Sequence, residues 1–528
     1  MIRSGGRRDT ALLLIGAALL LLAGIGSYPL WDPDEGRHAA IAERLGNDGQ
    51  WLVPRLYGEP YYDKPTLFYW IVRASFATFG TTELAARLPS VLATLATLVI
   101  VHRFARDRLG RRAAAIAGAI YATAPLVVVL GRYCNLDAIL TLFVTWACTG
   151  WLGWLDGSRR RPPWSAYLAM ALGTLLKGPV AVLLPGLTAM AVAVRRGAVR
   201  ELLARARPAH GALVILALTF PWLAGTALAE PDYLRTFFVE HNFRRYLSSE
   251  FDHVRDSTFF LWALPALLLP WSLLVPAVIG RPPAATTNRS EVHRWQSDLA
   301  VWAAVVVVFF SLGRAKLGSY VLPAVPPVAL WLGSALADLD RIRFARLVCA
   351  LRLWGGVLLL LPVGIFLWAS AAYPELAGAS VWSLVAIPVG IAVLAASRRR
   401  PGLLAVPALA AGNAALFAVF YLAVAPTVSE VASDHSLARL AASHPEMGLA
   451  GFRVQPASFS FYSEREVLRL DDIKRLRARL QDGPLFLVSR HRHEAALAAA
   501  GITVHEWSDT GRHVLYATVA PPARRSDP

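Results

Sequence analysis

Long apolar runs recur through most of this chain, and they constrain its fold more than any other feature. About 17–25 apolar residues in helical form cross a hydrocarbon layer of ~30 Å. Thirteen stretches approach that length: roughly 11–30, 84–101, 113–131, 136–155, 164–176, 179–194, 209–228, 257–279, 297–313, 320–338, 353–370, 380–396 and 402–424. The joins near 131–136 and 176–179 are tight enough that either pair also reads as a re-entrant hairpin. A chain that is 56% hydrophobic and 17% charged, with apolar runs of this length, is a polytopic α-helical membrane protein of about thirteen spans.

The net charge of +17 invites a nucleic-acid reading, but its placement argues against one. Of 53 basic residues, 26 fall in seven short segments between alternate spans, among them Arg103–Arg112, Arg195–Arg207 and Arg398–Arg400. That is the pattern of cytoplasmic loops. The N-terminus is then cytoplasmic, and thirteen spans carry the C-terminus to the outer side of the membrane. Residues 1–30 have a basic start and a leucine-rich core with no small-residue cleavage site after it, so they read as an uncleaved signal anchor. Cys134, Cys148 and Cys349 lie in or near spans and suggest neither a disulfide framework nor a metal cluster.

The most polar stretch lies between the first two spans, from Tyr28 to Tyr69, and makes up most of a first outer loop of 31–83. Asp32-Pro33-Asp34-Glu35 reads as a helix start, with Asp32 as cap, Pro33 in the first turn and Glu35 completing a capping box. The helix should run to about Leu45 and stop at Gly46-Asn47. A hairpin-like segment follows from Gln50 to Tyr62, and Pro65 opens a second helix, too short to span, expected to lie in the outer interface. By the same topology, four later segments face outward with this loop: Gly131–Asp137, Leu176–Pro179, 229–257 and Gly313–Tyr320. From Thr427 the apolar runs shrink to strand length (Gly448–Val454, Pro484–Ser489, Ile502–Trp507, His513–Val519), with helical segments at 429–443, 471–481 and 492–500. The expected division is a membrane domain, 1–426, and a small extracytoplasmic α/β domain, 427–528.

These outer segments carry the chemistry. Asp34 is a candidate general base for an incoming hydroxyl or amine, although Asp32, Asp34 and Glu35 would equally suit the positive end of a helix. Lys64, Arg132, Lys177, Arg244, Arg245 and Lys316 are candidates to hold a phosphate whose charge develops on departure. Lys and Arg near span ends also snorkel to lipid head groups. Lys177 interrupts an apolar stretch and Asp137 lies near the end of another, and ionisable groups in such places are functional candidates. Asp63 and His241 are candidate ligands for a divalent metal, without a local ligand cluster around them.

Several of these residues form an ordered set that resembles a known family. Asp34-Glu35-Gly36-Arg37, Tyr62-Asp63-Lys64-Pro65 with Tyr69-Trp70, Asp137, Leu176-Lys177-Gly178, Glu240-His241 with Arg244-Arg245, and Lys316-Leu317 with Tyr320–Pro323 are similar to the aminoarabinose transferase family. These relatives of the protein O-mannosyltransferases are membrane glycosyltransferases of the C-type (GT-C) superfold. The resemblance covers about 28–330. It implies transfer of a sugar from a polyprenyl-phosphate donor, of undecaprenyl-phosphate type, to a lipid A-like glycolipid, a glycan or a protein on the outer face. Inversion at the anomeric carbon would accompany transfer. Asp34 would help activate the acceptor, Asp137 would be a second acidic group, and Lys64 would bind the carrier phosphate. Glu35, Arg37, Tyr62, Tyr69 and Tyr320 would line the substrate pocket. The family's usual glutamate before the lysine is aspartate here, at Asp63, one methylene shorter. The expectation is that these side chains converge in one outward cavity open to lipid. The alternative is a transporter or flippase for a lipid-linked saccharide. Transporters tend to bind substrate near the midplane, between related halves, and neither feature is visible in this sequence.

Overall fold

A computed structural model of the chain describes residues 3–47, 49–157, 161–244, 246, 254–279, 287–339 and 342–519. Among the described residues, eight helices are long and apolar enough to cross a membrane. They are Glu83–Arg108, Leu136–Leu155, Pro208–Ala229, Glu291–Leu312, Gly318–Ala337, Phe344–Ala372, Leu376–Arg398 and Pro401–Ala432. Two bent pairs raise the number to ten if each is one span: Arg111–Thr123 with Pro125–Gly131, bent by 58°, and Phe259–Leu267 with Trp271–Val278, bent by 99°. The first bend has a local cause. Ala124 precedes Pro125 and takes an extended conformation, φ −63° and ψ 129°, as the proline ring demands of its predecessor.

Among the described residues these tests give eight to ten spans, so the count of thirteen is not confirmed. The remaining three stretches are helices whose apolar part is short. Arg3–Leu22 carries Arg3, Arg7, Arg8 and Asp9 in its first turns. Trp164–Lys177 has 14 residues and Val180–Arg196 has 17, which at a rise of ~1.5 Å per residue gives only about 21 and 26 Å. Gly178, with φ +84°, separates the two.

The chain gathers into two compact units, and the line between them does not fall at residue 426. The first comprises Met1–Ala23, Tyr62–Phe68 and Arg87–Tyr421; the second comprises Gly24–Tyr61, Tyr69–Ala86 and Leu422–Pro528. The first unit is the helical membrane body. Its interior includes a cluster of Trp151, Trp154, Tyr167, Met170 and Leu202 with small residues of neighbouring helices.

The second unit unites most of the first loop with the C-terminal segment. Its five-stranded sheet runs in the order β4-β3-β5-β7-β6, with β3 Gly448–Phe452, β4 Leu468–Leu470, β5 Leu485–Ser489, β6 His505–Asp509 and β7 Val514–Ala517. β3 pairs in parallel with β4 and β5, while β7 pairs antiparallel with β5 and β6. All five residues of β5 are buried, which explains an unbroken apolar run where an exposed face would alternate. β4 and the helix Ala457–Tyr462 are additions to the elements expected from sequence.

The loop itself departs from expectation at one point. The helix spans Asp34–Arg44, its N-cap position is Pro33, and no side chain caps it. Asp32 instead accepts hydrogen bonds from the Ser458 N–H, at 2.7 Å, and from the Ser458 hydroxyl. Glu35 reaches back as a capping box would, but one residue further, accepting from the Trp31 N–H at 3.0 Å. The hairpin is present: β1 Arg55–Leu56 and β2 Glu59–Pro60 pair antiparallel across Tyr57-Gly58, both at positive φ (58° and 80°), as a tight two-residue turn requires. The second helix, Leu67–Phe79, has 13 residues.

Candidate functional site

In the membrane body, three of the expected residues meet. Asn135 caps the helix Leu136–Leu155 by accepting from the Asp137 N–H at 2.8 Å, which places Asp137 in the first turn, at the positive end of the helix dipole. Lys177 is the last residue of Trp164–Lys177, at the negative end of that helix. Each charge thus suits its own helix, and the two form an ion pair. Their side chains are only 12% and 16% exposed. The ring of Tyr320 lies 5.1 Å from the Lys177 ammonium, within cation–π range. An ammonium has three donors, and Asp137 takes one, so the group retains capacity for a further anionic ligand.

Tyr320 sits in the short 3₁₀ helix Gly318–Ala324, and the segment before it is held by Lys316. The Lys316 ammonium donates to the Arg255 carbonyl at 2.9 Å and to the Gly313 carbonyl, beside a bridge between Val254 and Ala315. Its burial lowers the ammonium's pKa, against the attraction of Asp256. Lys316 is thus a brace for the loop that presents Tyr320, a task distinct from the phosphate contact expected of it.

Lys64 is presented by a clamped backbone. The Tyr233 hydroxyl donates to the Lys64 carbonyl at 2.8 Å, Tyr62 packs edge-on against Tyr233 with centroids 5.5 Å apart, and Trp222 donates to the Thr66 hydroxyl at 3.0 Å. The Lys64 ammonium donates to the Asp63 carbonyl at 3.0 Å. Tyr233 and Trp222 were not among the expected site residues; nothing in their local sequence marks them as anchors of a segment more than 150 residues earlier.

Arg132 has a different role from the one expected. It is 1% exposed and donates to the carbonyls of Leu20 (2.6 Å), Leu21 (2.8 Å) and Ala23 (2.6 Å), the orphan acceptors at the end of the first helix. Its guanidinium also stacks 3.9 Å from the Tyr421 ring. This arginine ties helices together and is spent in doing so. Arg244 pairs with Glu240 one turn earlier at 2.7 Å and is half exposed. Arg245 and the His241 side chain lie outside the described residues. Among the described residues no group of three or more His, Cys, Asp and Glu side chains forms a metal-holding cluster, so Asp63 has no such company there.

The second unit holds the remaining candidates. Asp34 and Arg37 form an ion pair on the first turn of their helix, and Asp34 is 43% exposed. Glu35 and Tyr69, by contrast, are fully buried. Glu35 is occupied by the Trp31 N–H, and the Tyr69 hydroxyl lies 3.2 Å from His38 Nδ1, with Tyr61 packed edge-on against its ring. Both shape the loop from inside, while Asp34 and Arg37 are the more accessible side chains of this segment.

Known proteins are similar to this chain in sequence and in fold. Residues 63–224 match the family model for dolichyl-phosphate-mannose-protein mannosyltransferases, a span that includes Lys64, Arg132, Asp137 and Lys177. A protein of Pseudomonas aeruginosa (strain PAO1) named undecaprenyl phosphate-alpha-4-amino-4-deoxy-L-arabinose arabinosyl transferase is 34% identical over 379 residues, 70% of this chain and 66% of that protein. This chain belongs to the aminoarabinose transferase-like family of C-type membrane glycosyltransferases. A family member of the same name from Yersinia enterocolitica is 30% identical over 333 residues, 62% of this chain and 59% of its own length. The matched region thus spans just under two thirds of these relatives. The family fold extends further. The crystal structure of ArnT from Cupriavidus metallidurans in the apo state aligns with a TM-score of 0.80 at 23% identity, over 98% of this chain and 100% of that one. The same protein bound to undecaprenyl phosphate aligns with a TM-score of 0.76 over 97% and 98%.

Proposed function

We propose that this chain transfers a sugar from a polyprenyl-phosphate carrier to an acceptor at the outer face of a bacterial inner membrane. The observation that carries the reading is the Asp137–Lys177–Tyr320 group, a paired charge among apolar helices. It is joined by sequence similarity to proteins named for arabinosyl transfer from undecaprenyl phosphate. In this reading the acceptor oxygen or nitrogen attacks the anomeric carbon and forms the new glycosidic bond. The bond from that carbon to the phosphate oxygen breaks, and its electron pair leaves with the carrier phosphate. Asp34 takes the acceptor's proton. Lys64 and Lys177 offset the charge that grows on the departing phosphate, with Asp137 holding Lys177 in place and Tyr320 covering it. A single displacement inverts the anomeric carbon. The acceptor is a lipid A-like glycolipid, a glycan or a protein. In this reading the basic loops face the cytoplasm together with the N-terminus, and the C-terminal domain lies outside.

Purified protein given a labelled undecaprenyl-phosphate sugar and a crude envelope glycolipid fraction tests this directly. Label should move to the acceptor, and Asp34→Asn should lower the rate at least 100-fold with expression intact. Activity of that variant within a few-fold of the original would remove Asp34 from the mechanism. Movement of label across a vesicle bilayer without transfer would replace the enzyme reading with a transporter.

A further inference from the structure

Among the described residues, the Asp34 side chain pairs with Arg37, on its own helix. Its position is therefore set by the backbone that carries it, and that backbone is held from far away in the sequence. The N–H of Asp32 donates to the Ala432 carbonyl at 2.9 Å. The Asp32 carbonyl accepts from Arg512 at 3.2 Å, and its carboxyl group is engaged by the N–H and the hydroxyl of Ser458. Every polar group of residue 32 is thus bound by the C-terminal segment. The two residues before it are also fastened there. The Trp31 indole donates to the Ser429 hydroxyl at 2.7 Å, and the Leu30 N–H donates to the Tyr462 hydroxyl at 2.7 Å.

The helix that begins at Asp34 is pressed onto the helix Ala457–Tyr462. A Cβ built on Gly36 would stand 2.4 Å from the Ser458 nitrogen and 2.6 Å from its Cα, so only glycine permits the approach. At the far end, Arg44 donates to the carbonyls of Ser460 (2.9 Å) and Arg465 (2.6 Å). Ser458 is itself held, its hydroxyl oxygen accepting from the Asp434 N–H at 2.8 Å. The Asp434 carboxylate in turn pairs with His513 Nδ1 at 2.9 Å, with both side chains buried.

We infer that the C-terminal domain is a positioning device for Asp34, with Ser458 as the residue that fixes the start of its helix through Asp32. The inference rests on the reading of Asp34 as the acceptor-activating carboxylate. It explains why a membrane enzyme carries this appended sheet: an external loop of the observed length would otherwise sample many conformations, and ordering it is costly. Ser458, Arg512 and Gly36 touch no reacting atom in this scheme. Displacing a catalytic group by ~1 Å can cost about 100-fold in rate, and such a loss falls on turnover, not on donor binding.

The test uses the full-length protein, with Ser458→Ala and Arg512→Gln read beside Asp34→Asn. Expected for Ser458→Ala is a fall in kcat of at least ten-fold at saturating donor and acceptor. The KM for the undecaprenyl-phosphate donor should stay within two-fold and the melting midpoint within a few degrees. Arg512→Gln, at a partly exposed position, should lower kcat several-fold with the same pattern, and it decides the matter if Ser458→Ala does not fold. Retained kcat in the folded variants, or a loss matched by an equal loss of donor binding, overturns the inference. If Asp34→Asn proves active, the failure lies in the reading of Asp34; if Asp34→Asn is inactive while both outer variants turn over normally, it lies in the positioning role alone.

Discussion

The Asp137–Lys177 pair makes a prediction whose size follows from its surroundings. Both side chains are largely buried, 12% and 16% exposed. Two unit charges ~4 Å apart at an effective dielectric of about 20 attract by roughly 4 kcal/mol, and removing one partner of a buried pair costs about 3–5 kcal/mol because the other is left uncompensated. Lys177→Met retains an apolar stem and strands the carboxylate, so it should cost the full amount. Asp137→Asn leaves the ammonium over the Tyr320 ring, 5.1 Å away, and that contact offsets ~0.5–2 kcal/mol, so this variant should lose less. The double variant buries no net charge and should be more stable than Lys177→Met and at least as stable as Asp137→Asn. For a chain of this length each kcal/mol shifts the melting midpoint by roughly 1–2 °C, extending the size trend of smaller domains. Midpoints in detergent should therefore fall by about 4–8 °C for Lys177→Met and largely recover in the double variant, a non-additivity that marks direct contact. Transfer should not recover with stability, because the double variant lacks the cation proposed to meet the phosphate. Additive midpoints would refute the ion pair, and a double variant with normal transfer would refute its catalytic use.

Three further outcomes are expected. Lys64→Ala should raise the apparent donor KM at least ten-fold while leaving the melting midpoint nearly unchanged, since its neighbours hold the backbone through the carbonyl; donor titrations check this, and an unchanged KM speaks for a plain interfacial lysine. Arg132→Gln should do the reverse, lowering stability by roughly 2–4 kcal/mol through stranded helix-end carbonyls with an unaltered donor KM in the protein that survives; a selective donor defect would restore the phosphate role denied to it above. The third concerns pH. Burial first, and then the charge of Asp434, raises the Asp32 carboxyl above its ordinary value of 3.8, with Ser458 and Arg512 opposing. The native state then keeps a proton that the unfolded chain has released, so the stability tied to Asp32 is complete below about pH 4 and is lost as pH rises toward the raised native value. Between pH 5 and 8 the melting midpoint of the original protein should fall more steeply than that of Asp32→Asn; parallel slopes would contradict the assignment.

Much of the candidate site was legible because charge inside apolar sequence is costly and therefore conspicuous. Lys177 and Asp137 stood out on that ground alone, and the structure pairs them. The same logic misplaced Arg132, since a cation near a span end looks alike whether it awaits a phosphate or closes a neighbouring helix; only the carbonyls of Leu20, Leu21 and Ala23 decide. Asp32 failed in a similar way. Asp-Pro-Asp-Glu satisfies every local rule for a capped helix, yet a stronger set of partners 400 residues away takes the carboxyl group. The helix that supplies them, Ala-Ser-Phe-Ser-Phe-Tyr, alternates apolar and polar residues and carries no helical period, because nearly all of it is buried and a buried helix has no polar face to betray its turn.

Sequence by itself determined that this chain is a helical membrane protein with polar loops between its spans and a small α/β tail. Those properties follow from hydropathy, charge placement and turn chemistry, each a sum over neighbours along the chain. Tertiary structure decided which arginine is scaffold, which lysine braces a loop, and that most of the first loop folds with residues from Leu422 onward, while Tyr62–Phe68 folds with the helical body. Those outcomes depend on which groups compete for the same hydrogen bonds across hundreds of residues, and that competition is settled only when the chain is compact.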